Sequence, residues 1–138
     1  MSDAVTITYL PGVSVAIFHD GRFLLVLRDR APSKGLYAFP GGRVNKGESD
    51  EDAVRRELAE ETGLTVERVT PLRHLLLHGS DGQPSYRLRV FRGFGPAGTL
   101  LAGDDAAEAG WFTLEEMAQL PIIPSVLETA RNLSAEGN

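Results

Sequence analysis

The chain has 138 residues, with 14 Lys and Arg against 19 Asp and Glu, for a formal charge of −5. That length fits one domain, 42% apolar and 24% charged residues exclude a disordered chain, and the acidic balance argues against tight binding of a polyanion. Cysteine is absent, which excludes disulfides, thiolate catalysis and zinc or iron–sulfur sites built on cysteine.

The opening MSDAVTITYLPG has no basic stretch followed by an apolar one, so no signal peptide is expected. No apolar run reaches the roughly 20 residues of a membrane span. One domain over residues 1–138 and a cytoplasmic location are the expectations. Val13–Phe18 and Phe23–Leu27 are apolar, β-rich runs, and the Asp20-Gly21 pair between them predicts a tight hairpin. Residues 28–47 carry Pro32, Gly35, Pro40, Gly41, Gly42 and Gly47 and read as loop, with a short strand over Leu36–Phe39. Ser49 can cap a helix whose acidic first turn, Asp50-Glu51-Asp52, suits the positive end of the helix dipole. Gly63 ends that helix. Val66–His78 holds strand-like stretches broken by Pro71. Tyr86–Phe94 alternates, with Tyr86, Leu88 and Val90 on one face and Arg87, Arg89 and Phe91 on the other, which predicts a strand. Residues 95–110 are rich in Gly, Ala and Asp and read as loop. Trp111-Phe112 reads as a short strand. Thr113 then caps a helix to about Leu120, with Glu116 placed for a capping box, and Pro121 stops it. Ser125–Leu133 is a final amphipathic helix. This mixture predicts an α+β fold, with helices on both sides of a sheet.

The helix after Ser49 carries the chemistry. Glu57, Glu60 and Glu61 project at roughly 0°, 300° and 40° around its axis, within one arc. Val54 and Leu58 can face the core beside them. Three carboxylates on one stripe repel unless a cation neutralises them. Oxygen-only donors favour Mg²⁺ or Mn²⁺, and Mg²⁺ keeps waters and shares substrate phosphates. The plain alternative is a solvated acidic face paired with Arg55 and Arg56.

The surroundings favour the cation. Gly42, Glu48, Arg56, Glu57, Leu58, Glu60, Glu61, Gly63 and Leu64 form the pattern G-x5-E-x7-R-E-U-x-E-E-x-G-U, where U is an aliphatic residue. This resembles the Nudix box without a departure, and the chain is similar to Nudix hydrolases. Tyr37-Ala38-Phe39-Pro40-Gly41-Gly42 resembles the family's approach to the box, and Trp111-Phe112 stands in the expected later place. The resemblance implies the Nudix fold, an αβα sandwich around a mixed sheet. It implies metal-dependent hydrolysis of a nucleoside diphosphate linked to another moiety. Mg²⁺ is the expected cofactor, with Mn²⁺ able to stand in. By the same resemblance Glu57 and Glu61 are the main metal ligands. Glu60 is a further ligand or orients water, Arg56 holds the glutamates, the Gly42 carbonyl lies near the metal, and Glu48 stands just outside it. The chemistry agrees: a pyrophosphate repels nucleophiles, and a cation offsets its charge and lowers the pKa of bound water.

Family members often use one more acidic residue in the loop before the last strand. Asp104, Asp105 and Glu108 are the candidates, with Glu108 and Asp105 preferred as catalytic base or metal ligand. Arg28, Arg30, Lys34 and Arg43 can bind phosphate, with Arg28 foremost, and Tyr37, Phe39 and Tyr86 can stack on a base. His74 and His78 are spaced too far apart on a strand to share a cation.

The substrate is less legible. Gly79 and Ser80 stand where ADP-ribose hydrolases of the family often carry a proline, and Pro84 comes late. The compact chain and its Asp104–Phe112 segment nevertheless resemble small bacterial ADP-ribose pyrophosphatases, so an ADP-ribose-like substrate is favoured. The alternatives are a nucleoside triphosphate pyrophosphohydrolase that cleanses the pool and a non-catalytic nucleotide sensor. Sensors of that type lose catalytic glutamates, and here all are present. The expected partner is a small nucleotide, with neither a nucleic acid duplex nor a membrane. A homodimer is compatible with these expectations.

Overall fold

A computed structural model describes residues 7–30, 33–80, 82–103 and 106–136. Two apolar runs start the sheet. Strand β1 (Tyr9–His19) turns at Asp20-Gly21 into β2 (Arg22–Arg28). The turn residues have φ of 51° and 75°, the left-handed pair that a two-residue hairpin of this twist requires. Phe18 pairs with Phe23, and their rings stack 4.3 Å apart. The remaining strands are β3 (Tyr37–Ala38), β4 (Gly41–Arg43), β5 (Leu64–Leu77), β6 (Ser85–Gly98) and β7 (Ala106–Phe112). The main strand order is β3-β2-β1-β6-β5, with β4 on β1 and β7 on β2. β6 runs parallel to β1 from Tyr9 to Ile17, and the other pairs are antiparallel.

Both faces of β1 and β2 are buried, which is why they read as continuous apolar runs rather than as alternation. Val13, Val15, Ile17 and Leu24 face α1 (Asp50–Thr62), where they pack on Val54 and Leu58. Ala16, Phe23 and Leu25 face the other way, toward α2 (Leu114–Met117) and α3 (Pro124–Glu136). Burying a Val or Leu fully is worth about 1.5–3 kcal/mol, so the Val54–Leu58 seam fixes α1 on the sheet. The result is the α+β arrangement expected from the sequence, with α1 on one side and α3 on the other.

Near its start, β1 is partnered by β4 rather than β2. Gly12, Val13 and Ser14 pair with Arg43, Gly42 and Gly41, and Val15 N–H donates to the Pro40 carbonyl at 2.9 Å. This brings the Gly41-Gly42 segment against the middle of the sheet, beside α1.

Several boundaries differ from expectation. β5 passes through Pro71 instead of breaking there; the register shifts between Pro71 and Arg73. β5 is the outer strand of its pairing, so a proline without an N–H costs little. β6 extends to Gly98 and β7 begins at Ala106, both within residues 95–110 that were expected to be loop, while the end of β7, Trp111-Phe112, is the expected strand. Their Gly and Ala are weak strand formers, but pairing of β7 with β2 overrides that preference. The Thr113 capping box is present, but the helix behind it ends at Met117 rather than near Leu120. α3 starts at Pro124, a residue suited to the first helical position, and runs to Glu136.

Candidate active site

Local sequence sets α1 in place. Ser49 Oγ accepts from the Asp52 N–H at 3.1 Å, and the Gly63 N–H donates to the Ala59 carbonyl at 2.9 Å. Ala53, Val54 and Leu58 point into the core. Glu57 and Glu61 border that apolar stripe and are drawn in with it. Glu61 is only 5% exposed.

The glycines at the box entrance make this approach feasible. The Gly41 N–H donates to Glu61 Oε1 at 2.7 Å. A Cβ on Gly41 would collide with the Val13 carbonyl, and one on Gly42 would collide with the Glu57 carboxylate. Only bare backbone fits between β1 and the two glutamates.

Arg56 is the hub of the charged cluster. Its Nε and Nη2 donate to the two oxygens of Glu48 at 2.8 and 3.0 Å, a bidentate fork. Its Nη1 donates to Glu57 Oε1 at 2.7 Å and to Glu60 Oε1 at 2.9 Å. Its Nη2 also donates to the Arg43 carbonyl at 2.9 Å, tying α1 to β4. The Arg56 hydrogen bonds, with help from the Asn45 N–H, hold the Glu48 carboxyl down to about 2. The Glu48 hydrogen bond likewise raises Arg56 above the usual guanidinium range.

The two inner glutamates shift the other way. Burial pushes the Glu61 carboxyl up to about 7; the Gly41 N–H opposes this, and the charge of Glu57 adds to it. Burial also raises Glu57, against the pull of Arg56. Two neighbouring carboxylates are therefore held at a cost that a cation would remove. Among the described residues, no three acidic or histidine side chains gather into a metal cage. A pair of carboxylates still fits Mg²⁺, which is commonly bound by one or two of them together with waters and substrate phosphates.

A cleft opens on the other side of Gly41-Gly42, with about 770 Å³ of free space including its mouth. Phe39, Leu88 and Val126 form apolar walls, and Ser14, Tyr86 and Ser125 bring hydroxyls to it. Arg28 and Arg43 line it as well. The charge of Arg28 also reaches Glu61, where it favours the ionised form. The glutamate pair and the cleft thus meet at the Gly41-Gly42 backbone.

Two expected residues are placed elsewhere. Glu108 lies in β7, not in a loop, and pairs with Leu27 of β2. Tyr37 pairs with Leu27 from the opposite side. All three therefore share the face that carries Phe23 and Leu25, opposite α1. Burial raises the Tyr37 hydroxyl pKa, and the neighbouring Glu108 carboxylate adds to that. The Tyr37 ring meets Phe112 edge-on at 5.4 Å, and its backbone bonds to Pro121 and Ile123. Tyr37 is not part of the cleft wall. Asp104 and Asp105 lie outside the described residues. The cleft residues Ser14, Leu88 and Ser125 were missed. The one available signal was Ser14, a polar residue inside the apolar run Val13–Phe18.

Residues 8–133 match the NUDIX domain family. An ADP-ribose pyrophosphatase of Methanocaldococcus jannaschii is 39% identical over 112 residues, covering 80% of this chain and 66% of the relative. An oxidized purine nucleoside triphosphate hydrolase of Danio rerio is 30% identical over 103 residues, covering 75% of this chain and 65% of the relative. The chain thus spans just under two thirds of each relative's length. The crystal structure of a MutT NUDIX hydrolase from Burkholderia pseudomallei superposes with a TM-score of 0.82 at 30% identity, covering 91% of this chain and 98% of that one. With the box glutamates gathered on α1 and the family match spanning most of its length, this chain belongs to the Nudix family.

Proposed function

We propose that the protein hydrolyses the diphosphate of a nucleoside diphosphate linked to a second moiety, with an ADP-ribose-like compound as substrate. The observation that carries this reading is the Glu57–Glu61 pair pressed against Gly41-Gly42 at the edge of the cleft. The name and 39% identity of the archaeal relative support the ADP-ribose assignment.

Glu57 and Glu61 would hold Mg²⁺, or Mn²⁺ in its place, with the Gly42 carbonyl nearby. The cation would neutralise the diphosphate and lower the pKa of attacking water. Arg28 and Arg43 line the cleft and would bind phosphate oxygens there. Arg56 keeps Glu57 in one orientation through a contact that also engages Glu48 and Glu60. Glu60 is the most exposed of the three box glutamates and takes the proton from water, in preference to Glu108 across the sheet. Glu61 must ionise to bind the cation, so at subsaturating Mg²⁺ activity rises with pH through about 7.

The test is a panel of substrates with Mg²⁺ and identified products. ADP-ribose should give AMP and ribose 5-phosphate, and EDTA should abolish the reaction. A higher kcat/KM for nucleoside triphosphates, yielding monophosphate and pyrophosphate, would favour the second reading suggested by the zebrafish relative.

A further inference from the structure

Glu61 is held at both ends. Its carboxylate accepts the Gly41 N–H from β4 at 2.7 Å, and its backbone carbonyl accepts the Gly103 N–H at 2.9 Å. The second contact comes from the segment between β6 and β7, which takes no part in the reaction proposed above.

A helix leaves its last four carbonyls without partners of its own. In α1 the Gly63 N–H takes the Ala59 carbonyl, and the N–H groups of Gly103 and Leu101 take those of Glu61 and Thr62, each at 2.9 Å. The last turn carries no basic residue, although Glu60 and Glu61 put carboxylates at the negative end of the helix dipole. The two N–H groups supply partial positive charge there. Between them Leu100 packs on the core cluster of Val54 and Leu58, which anchors the segment. The approach requires glycine, because a Cβ on Gly103 would collide with the Glu60 carbonyl. A larger residue must lift the backbone off the turn and break the bond to Glu61.

We infer that Gly103 is a positioning residue for Glu61, fixing the last turn of α1 from outside so that the Glu61 carboxylate stays on the Gly41 N–H. It touches no reacting atom. Its consequence for cation binding rests on the function proposed above, in which Glu61 holds Mg²⁺.

Hydrogen exchange on the metal-free protein reads the positioning at the Gly41 amide. In Gly103→Ala that amide should exchange about tenfold faster than in wild type, the scale of one lost hydrogen bond, while amides between β1 and β6 keep their rates. Mg²⁺ affinity, measured by titration calorimetry, should fall by a similar factor. If the added methyl prevents folding, replacing the Gly103 amide by an ester removes the N–H alone and should give the same two changes. Leu101→Ala trims a side chain that is 67% exposed and keeps both backbone bonds, so both readouts should stay at wild-type values. An unchanged Gly41 rate or Mg²⁺ affinity in the Gly103 variant that folds, a uniform rise in exchange across β1 and β6, or an equal effect from Leu101→Ala overturns the inference. Mg²⁺ uptake by neither wild type nor variant, with the Gly41 rate still raised, would sink cation binding by Glu61 and leave the positioning role standing. Mg²⁺ binding by wild type with an unchanged Gly41 rate in Gly103→Ala would do the reverse.

Discussion

On the α1 face of the sheet, the groups at the site are charged and bonded to one another. On the α3 face, Arg28 and Arg43 are the charged residues of the cleft wall, and the rest of it is aliphatic, aromatic, hydroxyl-bearing or glycine. Each group in the first region has few tolerable replacements. Glu61 needs the Gly41 N–H, Glu57 needs the empty space at Gly42, and Arg56 serves three carboxylates at once. In the second region shape matters more than identity, because apolar contact is non-directional. The contrast teaches that reaction and recognition are separable here: a charge lost on the α1 face should stop turnover, whereas changes on the α3 face should grade affinity.

The largest expected effect belongs to the inner glutamates. Glu61→Gln and Glu57→Gln should each lower kcat at least about 100-fold, roughly 3 kcal/mol of transition-state stabilisation. Melting temperatures should hold or rise, since a buried charge is removed. A mild kinetic change with a large fall in melting temperature would make these residues structural.

Next comes pH. Glu61 titrates near 7 in the folded protein and in the ordinary carboxylate range when unfolded. Folding is therefore favoured most by this group below about pH 4.5, and that contribution disappears as pH rises through 7. The metal-free protein should lose up to about 3 kcal/mol of stability across that window. Glu57 shifts in the same direction, whereas Glu48 acts oppositely: its stabilisation is present above about 4.5 and is lost as pH falls toward 2. Denaturant melts at several pH values, with and without Mg²⁺, would measure the slope; a flat profile in metal-free wild type, or a full slope in Glu61→Gln, would contradict its origin.

Arg56→Lys keeps the charge and removes the fork. The expected result is a lower melting temperature and a 10- to 100-fold loss in kcat, because one ammonium cannot reach Glu48 bidentately and also hold Glu57. Wild-type turnover in this variant would show that orientation by Arg56 is dispensable.

The smallest effect should come from across the sheet. Glu108→Gln and Tyr37→Phe should change kcat by no more than about twofold, the scale of an ordinary surface substitution. A hundredfold loss in either would join the two faces into one catalytic unit.

The α1 face was largely legible in the sequence because its signals are local. Ser49, the acidic first turn and Gly63 define the helix, and helical spacing aligns Glu57, Glu60 and Glu61. The Arg56–Glu48 fork was less legible, since eight residues and a turn separate the pair. The α3 cleft was largely hidden. It forms where β1 lies parallel to β6, about 75 residues later, and where α3 packs over both. No local pattern encodes that pairing. β7 was hidden for a related reason: Ala106–Gly110 has little strand preference of its own and becomes strand by pairing with β2. The same pairing decides which face Glu108 occupies, because one residue of register reverses it.

A divalent cation should allow Glu57 and Glu61 to be charged together. Titration calorimetry of Mg²⁺ into wild type and Glu61→Gln, at pH 6 and pH 8, tests it most directly. Wild type should bind about tenfold more tightly at pH 8 than at pH 6, as the Glu61 proton leaves. Glu61→Gln should bind weakly at both values. Equal Mg²⁺ binding by the two proteins at pH 8 would contradict the account.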